Sequence, residues 1–328
     1  MHSPQRTPKL ALLEMLHYFY NRPLPNGRFF FAGTTPVKLS VQFLHSTLFS
    51  TLMNYDISQL PERTPKPREQ GYTMVMDKGL SLREVEDFLE VNAAYTDVVK
   101  LGWATSYVVP NLKRKLEIYR AADIPVYFGG TLFEAFIIRI QFDDYRRLLD
   151  THGMEYAEVS DGSIDLDHDR KCEYIRELSK SVRVLSEVGS KDAEKIIPPY
   201  KWISQMETEL AAGAIKVIGE AREGGNVGLF RSTGEVRSGL VEEILTKIPS
   251  EKILWEAPQK AQQVWFIKLL GANVNLGNIA PNEVISLETI RLGLRGDTFS
   301  HFLDMDAVDP MFRPAAKTSK PGTSMPRG

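Results

Sequence analysis

The chain has 328 residues, 43% of them hydrophobic and 25% charged, within the ordinary range of soluble globular proteins. Its 40 basic residues against 42 acidic ones give no overall field for nucleic acid or an anionic membrane, so any anion site has to be built locally. The lone Cys172 excludes an internal disulfide and a cysteine-built zinc site, and no apolar run approaches the roughly 20 residues that span a bilayer.

Residues 1–52 carry Pro, Asn and aromatics without clear periodicity, and Glu14 is their only acid. A basic, acid-poor start can be an organelle transit peptide. The missing amphipathic period instead favours a start assigned too far upstream, with Met53 the real one and a cytoplasmic protein. Residues 304–328 are rich in Pro, Ser and Gly and are expected to form a disordered tail.

Between 53 and 303 one alternation repeats. Short apolar runs occur at "YTMVMD" (72–77), "DVVKLG" (97–102), "IPVYFGG" (124–130) and "YAEVSDG" (156–162). Four more follow at "VRVLSEVG" (182–189), "IKVIGEAR" (215–222), "KILWEAP" (252–258) and "NVNLGNI" (273–279). The stretches between them, such as "SLREVEDFLEVNAAY", "DRKCEYIRELSKS" and "SGLVEEILTKI", have the i, i+3, i+4 apolar spacing of helices. Cys172 lies on one of these helices, which argues against a nucleophilic thiol. Buried strands alternating with helices imply a parallel sheet, and eight units match a (β/α)8 TIM barrel of about 250 residues. An open doubly wound sheet fits less well, because "MVMDKG" lacks the glycine-rich turn that usually follows its first strand.

In a barrel the C-terminal strand ends converge on one mouth, where barrel enzymes carry their active sites. Read in order, those ends offer Asp77 and Lys78, Lys100, Gly129-Gly130-Thr131, and Glu158 with Ser160 and Asp161. The next four offer Glu187 with Lys191, Glu220 with Arg222, Glu256 with Lys260, and the amides Asn273, Asn275 and Asn278. Turn chemistry explains Asp161 before Gly162, and Glu158 could pair with Lys100 in a buried layer. A polar group at every end is more than turns require, since buried charge is costly unless paired or metal-bound. Lys78, Lys100, Lys191, Arg222 and Lys260 predict a cationic mouth that grips a small polyanion. Acids among them, with Glu187, Glu220 and Asp77 as candidates, predict Mg²⁺. His152 and His168 lie in loops or helix starts, so the expected proton carrier is a lysine of lowered pKa.

Taken together these segments resemble the phosphosulfolactate synthase family. The resemblance runs from about Gly71 to Thr298 through "DKGL" (77–80), "VKLGWATS" (99–106), "VYFGGTLFE" (126–134) and "EVSDGS" (158–163). It continues through "SEVGSKD" (186–192), "EAREGGNVGLF" (220–230), "EAPQKAQQVWFI" (256–267), "VNLGNI" (274–279) and "SLETIRLGLRGDTF" (286–299).

It implies a barrel lyase of the coenzyme M pathway, or of other sulfonate biosynthesis. Such an enzyme adds sulfite to phosphoenolpyruvate with Mg²⁺ to give (2R)-phospho-3-sulfolactate. Lys191 stands at the family's lysine after its "EVG" strand end and is the expected acid, with Lys100 and Glu256 as further catalytic candidates. Lys78, Arg222, Lys260, Asn275, Asn278 and Arg295 are the expected substrate contacts, Arg295 through the phosphate-type "GLRGDT" turn.

Two positions depart from the family pattern: Ala104 where glycine is expected, and Ser190 where a second lysine can stand. A homo-oligomer is expected, without nucleic-acid or membrane partners. Two other readings stay open. One is a barrel enzyme for another small phosphorylated carboxylate, including a Schiff-base aldolase on Lys100. The other is a non-catalytic role, because plant heat-stress-associated proteins resemble the same family.

Overall fold

A computed structural model describes residues 54–191 and 197–312; the expected N-terminal extension (1–52) and the tail beyond 312 lie outside the described residues. The first half of the chain contributes β1 (Thr73–Asp77), α1 (Leu82–Asn92), β2 (Val98–Leu101), α2 (Thr105–Val108), α3 (Leu112–Ala121), β3 (Val126–Phe128), α4 (Gly130–Ile137) and α5 (Phe142–Thr151). From there the chain forms β4 (Tyr156–Val159), α6 (His168–Leu178), β5 (Arg183–Val188), α7 (Pro199–Ala211) and β6 (Ala214–Gly219). It closes with α8 (Ser238–Leu245), β7 (Ile253–Glu256), α9 (Lys260–Leu270), β8 (Leu276–Ile279) and α10 (Val284–Arg291). Each of the eight apolar runs forms a strand, and each strand is short because the following polar or glycine residue turns the chain toward a helix.

All pairings are parallel, in the order β3-β2-β1-β8-β7-β6-β5-β4, so β1 pairs with β8 and the sheet curls into a nearly closed barrel. The ladder is open only between β3 and β4. There the Gly130 N–H, at the start of α4, donates to Glu158 Oε1 of β4 at 2.6 Å.

The pleat decides what fills the barrel, since alternate side chains point to opposite faces. Met74, Val98, Tyr127, Tyr156, Leu185, Ile218 and Leu254 form an apolar interior layer with Tyr72. Their in-between neighbours Val75, Val99, Ala157, Val184, Val217 and Ile253 pack outward beneath the helices. Two residues further along five of these strands, on the same inner face, stand Lys100, Glu158, Glu187, Glu220 and Glu256. The interior is thus apolar in one layer and charged in the next layer up.

The opposite end of the barrel is closed by hydrogen bonds. Arg63, ahead of β1, donates to Glu288 at 2.8 Å and to the Ala272 carbonyl at 3.0 Å, and Arg291 donates to the Ala272 and Val274 carbonyls at 2.6 and 2.7 Å. Asn275 belongs to this end. Its Oδ1 accepts from Tyr72 N at 3.0 Å, and its Nδ2 donates to the carbonyls of Glu251 and Ile253 at 3.1 and 3.0 Å. "NVNLGNI" becomes strand only at Leu276, so Asn275 precedes β8 and faces away from the mouth; as a substrate contact it is not where the sequence reading put it. Asn275→Ala removes partners from three backbone groups at the starts of β1 and β7, leaving the Tyr72 amide and the Ile253 carbonyl without their side-chain bond. Chemical denaturation should show a stability loss of about 2–4 kcal/mol, while the chemistry of the mouth in the folded fraction stays unchanged.

Candidate active site

The charged layer opens into a cavity of ≈ 130 Å³ at the C-terminal strand ends, lined by Lys100, Glu158, Glu187, Lys191, Glu220, Arg222, Glu256 and Asn278, with Met76, Trp103 and Thr131. At its floor, Lys100 Nζ stands 2.9 Å from Glu158 Oε1, 3.3 Å from Glu256 Oε1 and 3.6 Å from Glu187 Oε2. Above it, Lys191 Nζ lies 3.0 Å from Glu187 Oε1, 3.3 Å from Glu134 Oε1 and 3.7 Å from Glu220 Oε2. Backbone amides fix the acids further: Ala221 N donates to Glu256 Oε2 at 3.0 Å and Arg222 N to Glu220 Oε1 at 2.5 Å. One carboxylate oxygen from each of Glu187, Glu220 and Glu256 lies within 4.8 Å of the others, a spacing that could hold a hard divalent cation.

Burial raises the cost of every charge here, and the neighbours decide which forms win. Burial works against charge on Lys100, but Glu158, Glu256 and Glu187 outweigh it and hold its pKa well above the usual lysine value. Lys191 behaves alike: Glu187, Glu220 and Glu134 overcome its burial. Glu187, despite burial, is kept below the usual carboxylate range by Lys191 and Lys100. Glu220 is pushed well above that range by burial and by Glu187 and Glu256, and burial carries Glu256 up to about 7. The expected lysine of lowered pKa is therefore absent from this cluster. Each lysine faces three carboxylates rather than other cations, so both are ammonium ions. A Schiff base on Lys100, which requires the neutral amine, is correspondingly disfavoured.

The structure brings together Lys100, Lys191, Glu187, Glu220, Glu256, Arg222 and Asn278, and it confirms the Glu158–Lys100 pair. Asn278 is 5% exposed, adopts a left-handed φ of 57° at the end of β8, and among the described residues has no hydrogen-bond partner for Oδ1. Lys78 sits at the rim, its ammonium 4.9 Å from the ring centroid of Trp103. Trp103 and Ala104 both have left-handed φ, 53° and 54°, which explains why glycine would suit position 104.

Besides Asn275, three expected site residues lie elsewhere. With Met74 facing inward, parity turns Asp77 outward, where its carboxylate takes Lys115 at 2.8 Å, Tyr119 at 3.1 Å and the amides of Gly79 and Leu80. Every bond it can make is used within β1, its following turn and α3. Lys260 and Arg295 both turn to Asp297, at 3.1 and 3.7 Å, outside the cavity. The mouth is consequently not cationic. Five acids (Glu134, Glu158, Glu187, Glu220 and Glu256) surround two lysines in the interior, and Arg222 and Lys78 remain at the rim. Glu134 was missed because it lies on α4 rather than at a strand end; only its place at the close of "VYFGGTLFE" marked it.

A family model described as (2R)-phospho-3-sulfolactate synthase (ComA) matches residues 61–297. Curated relatives named phosphosulfolactate synthase align over nearly their whole length. That of Methanothermobacter thermautotrophicus is 40% identical over 73% of this chain and 95% of its own. The Bacillus subtilis protein is 41% identical over 75% and 99%, and the Methanocaldococcus jannaschii protein 44% over 70% and 94%.

The raised carboxyls have a consequence for stability. Glu256 titrates near 7 when folded against the usual 4.5, so its contribution is complete below about 4.5 and is lost as pH rises through about 7. Glu220 acts in the same direction, and Glu187, held low, does not titrate in this window. After chelation of divalent ions, the unfolding temperature should therefore fall from pH 6 to pH 8, and Glu256→Gln should flatten that slope. An equal slope in both proteins would contradict the assignment.

Proposed function

The chain belongs to the phosphosulfolactate synthase family, and on that premise we propose that it adds sulfite to C3 of phosphoenolpyruvate and protonates C2, giving (2R)-phospho-3-sulfolactate. The sulfur lone pair forms the C–S bond, the double-bond electrons move toward C2 and the adjoining carboxylate, and an N–H bond of an ammonium breaks as C2–H forms. The observation that carries this reading is the placement of Lys191, a charged ammonium within 3.0–3.7 Å of three carboxylates in one small mouth. It is already in the donor form that carbon protonation requires.

Five acids around two lysines offer a trianionic substrate no net positive charge. That imbalance, with the spacing of Glu187, Glu220 and Glu256, fits Mg²⁺ held by those three side chains. When bound, the ion supplies positive charge against the carboxylate on which negative charge grows. Lys100, locked into Glu158, Glu256 and Glu187, keeps the acids in place and limits their mutual repulsion. Arg222 at the rim suits the phosphate, and the unpartnered amide oxygen of Asn278 is available to a donor or cation inside. Trp103 lines the cavity beside Lys78.

Phosphorus NMR with phosphoenolpyruvate and Mg²⁺ tests the reaction: a new phosphate ester should appear only when sulfite is present, and sulfite-independent turnover would refute it. Lys191→Ala should lower kcat by about 10²–10⁴-fold, in an enzyme that still binds phosphoenolpyruvate. Chelation should abolish turnover and Mg²⁺ restore it. By calorimetry Glu187→Gln should weaken Mg²⁺ binding by at least about tenfold, since even groups that merely support a ligand are worth that much.

A further inference from the structure

Glu134 is 2% exposed and stands apart from the three acids with metal-like spacing, yet it touches the same ammonium. Its Oε1 faces Lys191 Nζ at 3.3 Å and also accepts the Ser160 hydroxyl, while its Oε2 accepts the Ser163 amide at 3.0 Å. These bonds cross the seam where β3 and β4 lack a ladder, so Glu134 joins α4 to the loop after β4. The same loop supports the stem of Lys191. A methyl group on Gly162 would meet Lys191 Cγ, Cδ and Cε at 3.0, 3.1 and 3.2 Å. One short segment, 162–163, thus bears on both the carboxylate and the lysine.

We propose that Glu134 is the positioning residue of Lys191: its carboxylate, fixed across the β3–β4 seam, aims the ammonium into the mouth. The inference rests on the proposed function in one respect. If Glu187 and Glu220 take up a divalent ion, their oxygens turn to it and Glu134 is the carboxylate left to hold Lys191. A carboxylate outside the trio keeps the ammonium in place in both states.

The test is a double-mutant cycle joined to a readout that needs no turnover. Glu134→Gln keeps the shape and one acceptor oxygen but loses the charge. In the full chain it should lower kcat roughly tenfold to a hundredfold, with KM and calorimetric Mg²⁺ affinity nearly unchanged. The solvent hydrogen isotope effect on kcat should rise as proton transfer becomes limiting. In a Lys191→Ala background the same substitution should change nothing further, because the group it aims is gone. Gly162→Ala, which presses on the lysine stem from another side, should reproduce the kcat loss if Glu134→Gln fails to fold.

Independently, trace acetylation read by mass spectrometry should label Lys191 at least about threefold faster in Glu134→Gln, since a lysine freed from an ion pair is a better nucleophile. Labelling of the buried Lys115 and Lys171 should stay unchanged. Equal kcat losses in both backgrounds, or unchanged Lys191 labelling in a folded Glu134→Gln protein, would overturn the proposal. Absent sulfite-dependent turnover in the wild type would refute the proposed function alone, and the labelling result would still decide the role of Glu134.

Discussion

Two ammonium groups, Lys100 in the charged layer and Lys191 just above it, are set among five acids at one end of the barrel interior, and their mutual neutralisation is the condition on which the mouth depends. A single buried charge among them would be driven to its neutral form or out to solvent. Packed as two lysines each facing three acids, they reach distances of 2.9–3.7 Å that hold both lysines charged and leave Glu158, Glu220 and Glu256 raised by burial. The result is an interior with more acid than base. It offers an anionic ligand little by itself, and three of its acids have the spacing that a small hard cation requires.

The rest of the fold divides its labour around this layer. Beneath it, the apolar layer of Met74, Val98, Tyr156, Leu185, Ile218 and Leu254 excludes water from the floor and strengthens every ion pair above. At the far end, Arg63, Arg291 and Asn275 bind strand-start backbone groups, so polar chemistry there serves closure rather than ligand binding. Between β3 and β4 the missing ladder is replaced by carboxylates: Glu158 takes the Gly130 amide and Glu134 takes Ser160 and Ser163. The seam of the barrel is therefore also part of its site.

Much of this was legible in the sequence because it depends on local periodicity. Eight apolar runs separated by helical spacing fixed the barrel, and the parity of each run fixed the mouth for five strands. The residue two places after Val98, Tyr156, Leu185, Ile218 or Leu254 is charged, and a strand that buries the first must turn the second to the same side. Hence Lys100, Glu158, Glu187, Glu220 and Glu256 could be named in advance. So could the resemblance to a family, whose motifs are these same strand ends and the turns after them.

What only the tertiary structure decided was where the ends of runs fall and whom the charges meet. Asp77 was one residue out of phase, so a strand carrying Met74 and Met76 inward had to send it outward to Lys115 and Tyr119. Asn275 stood before its strand rather than after it, a shift invisible in an apolar run that tolerates either boundary. Lys260 and Arg295 met at Asp297, a partner supplied from beyond β8. Lysine pKa values were misjudged because sequence counts the cations at strand ends but not their distances to acids. Glu134 reaches Lys191 across 57 residues of chain, from a helix. Periodicity is a property of neighbours along the chain, and electrostatics a property of neighbours in space.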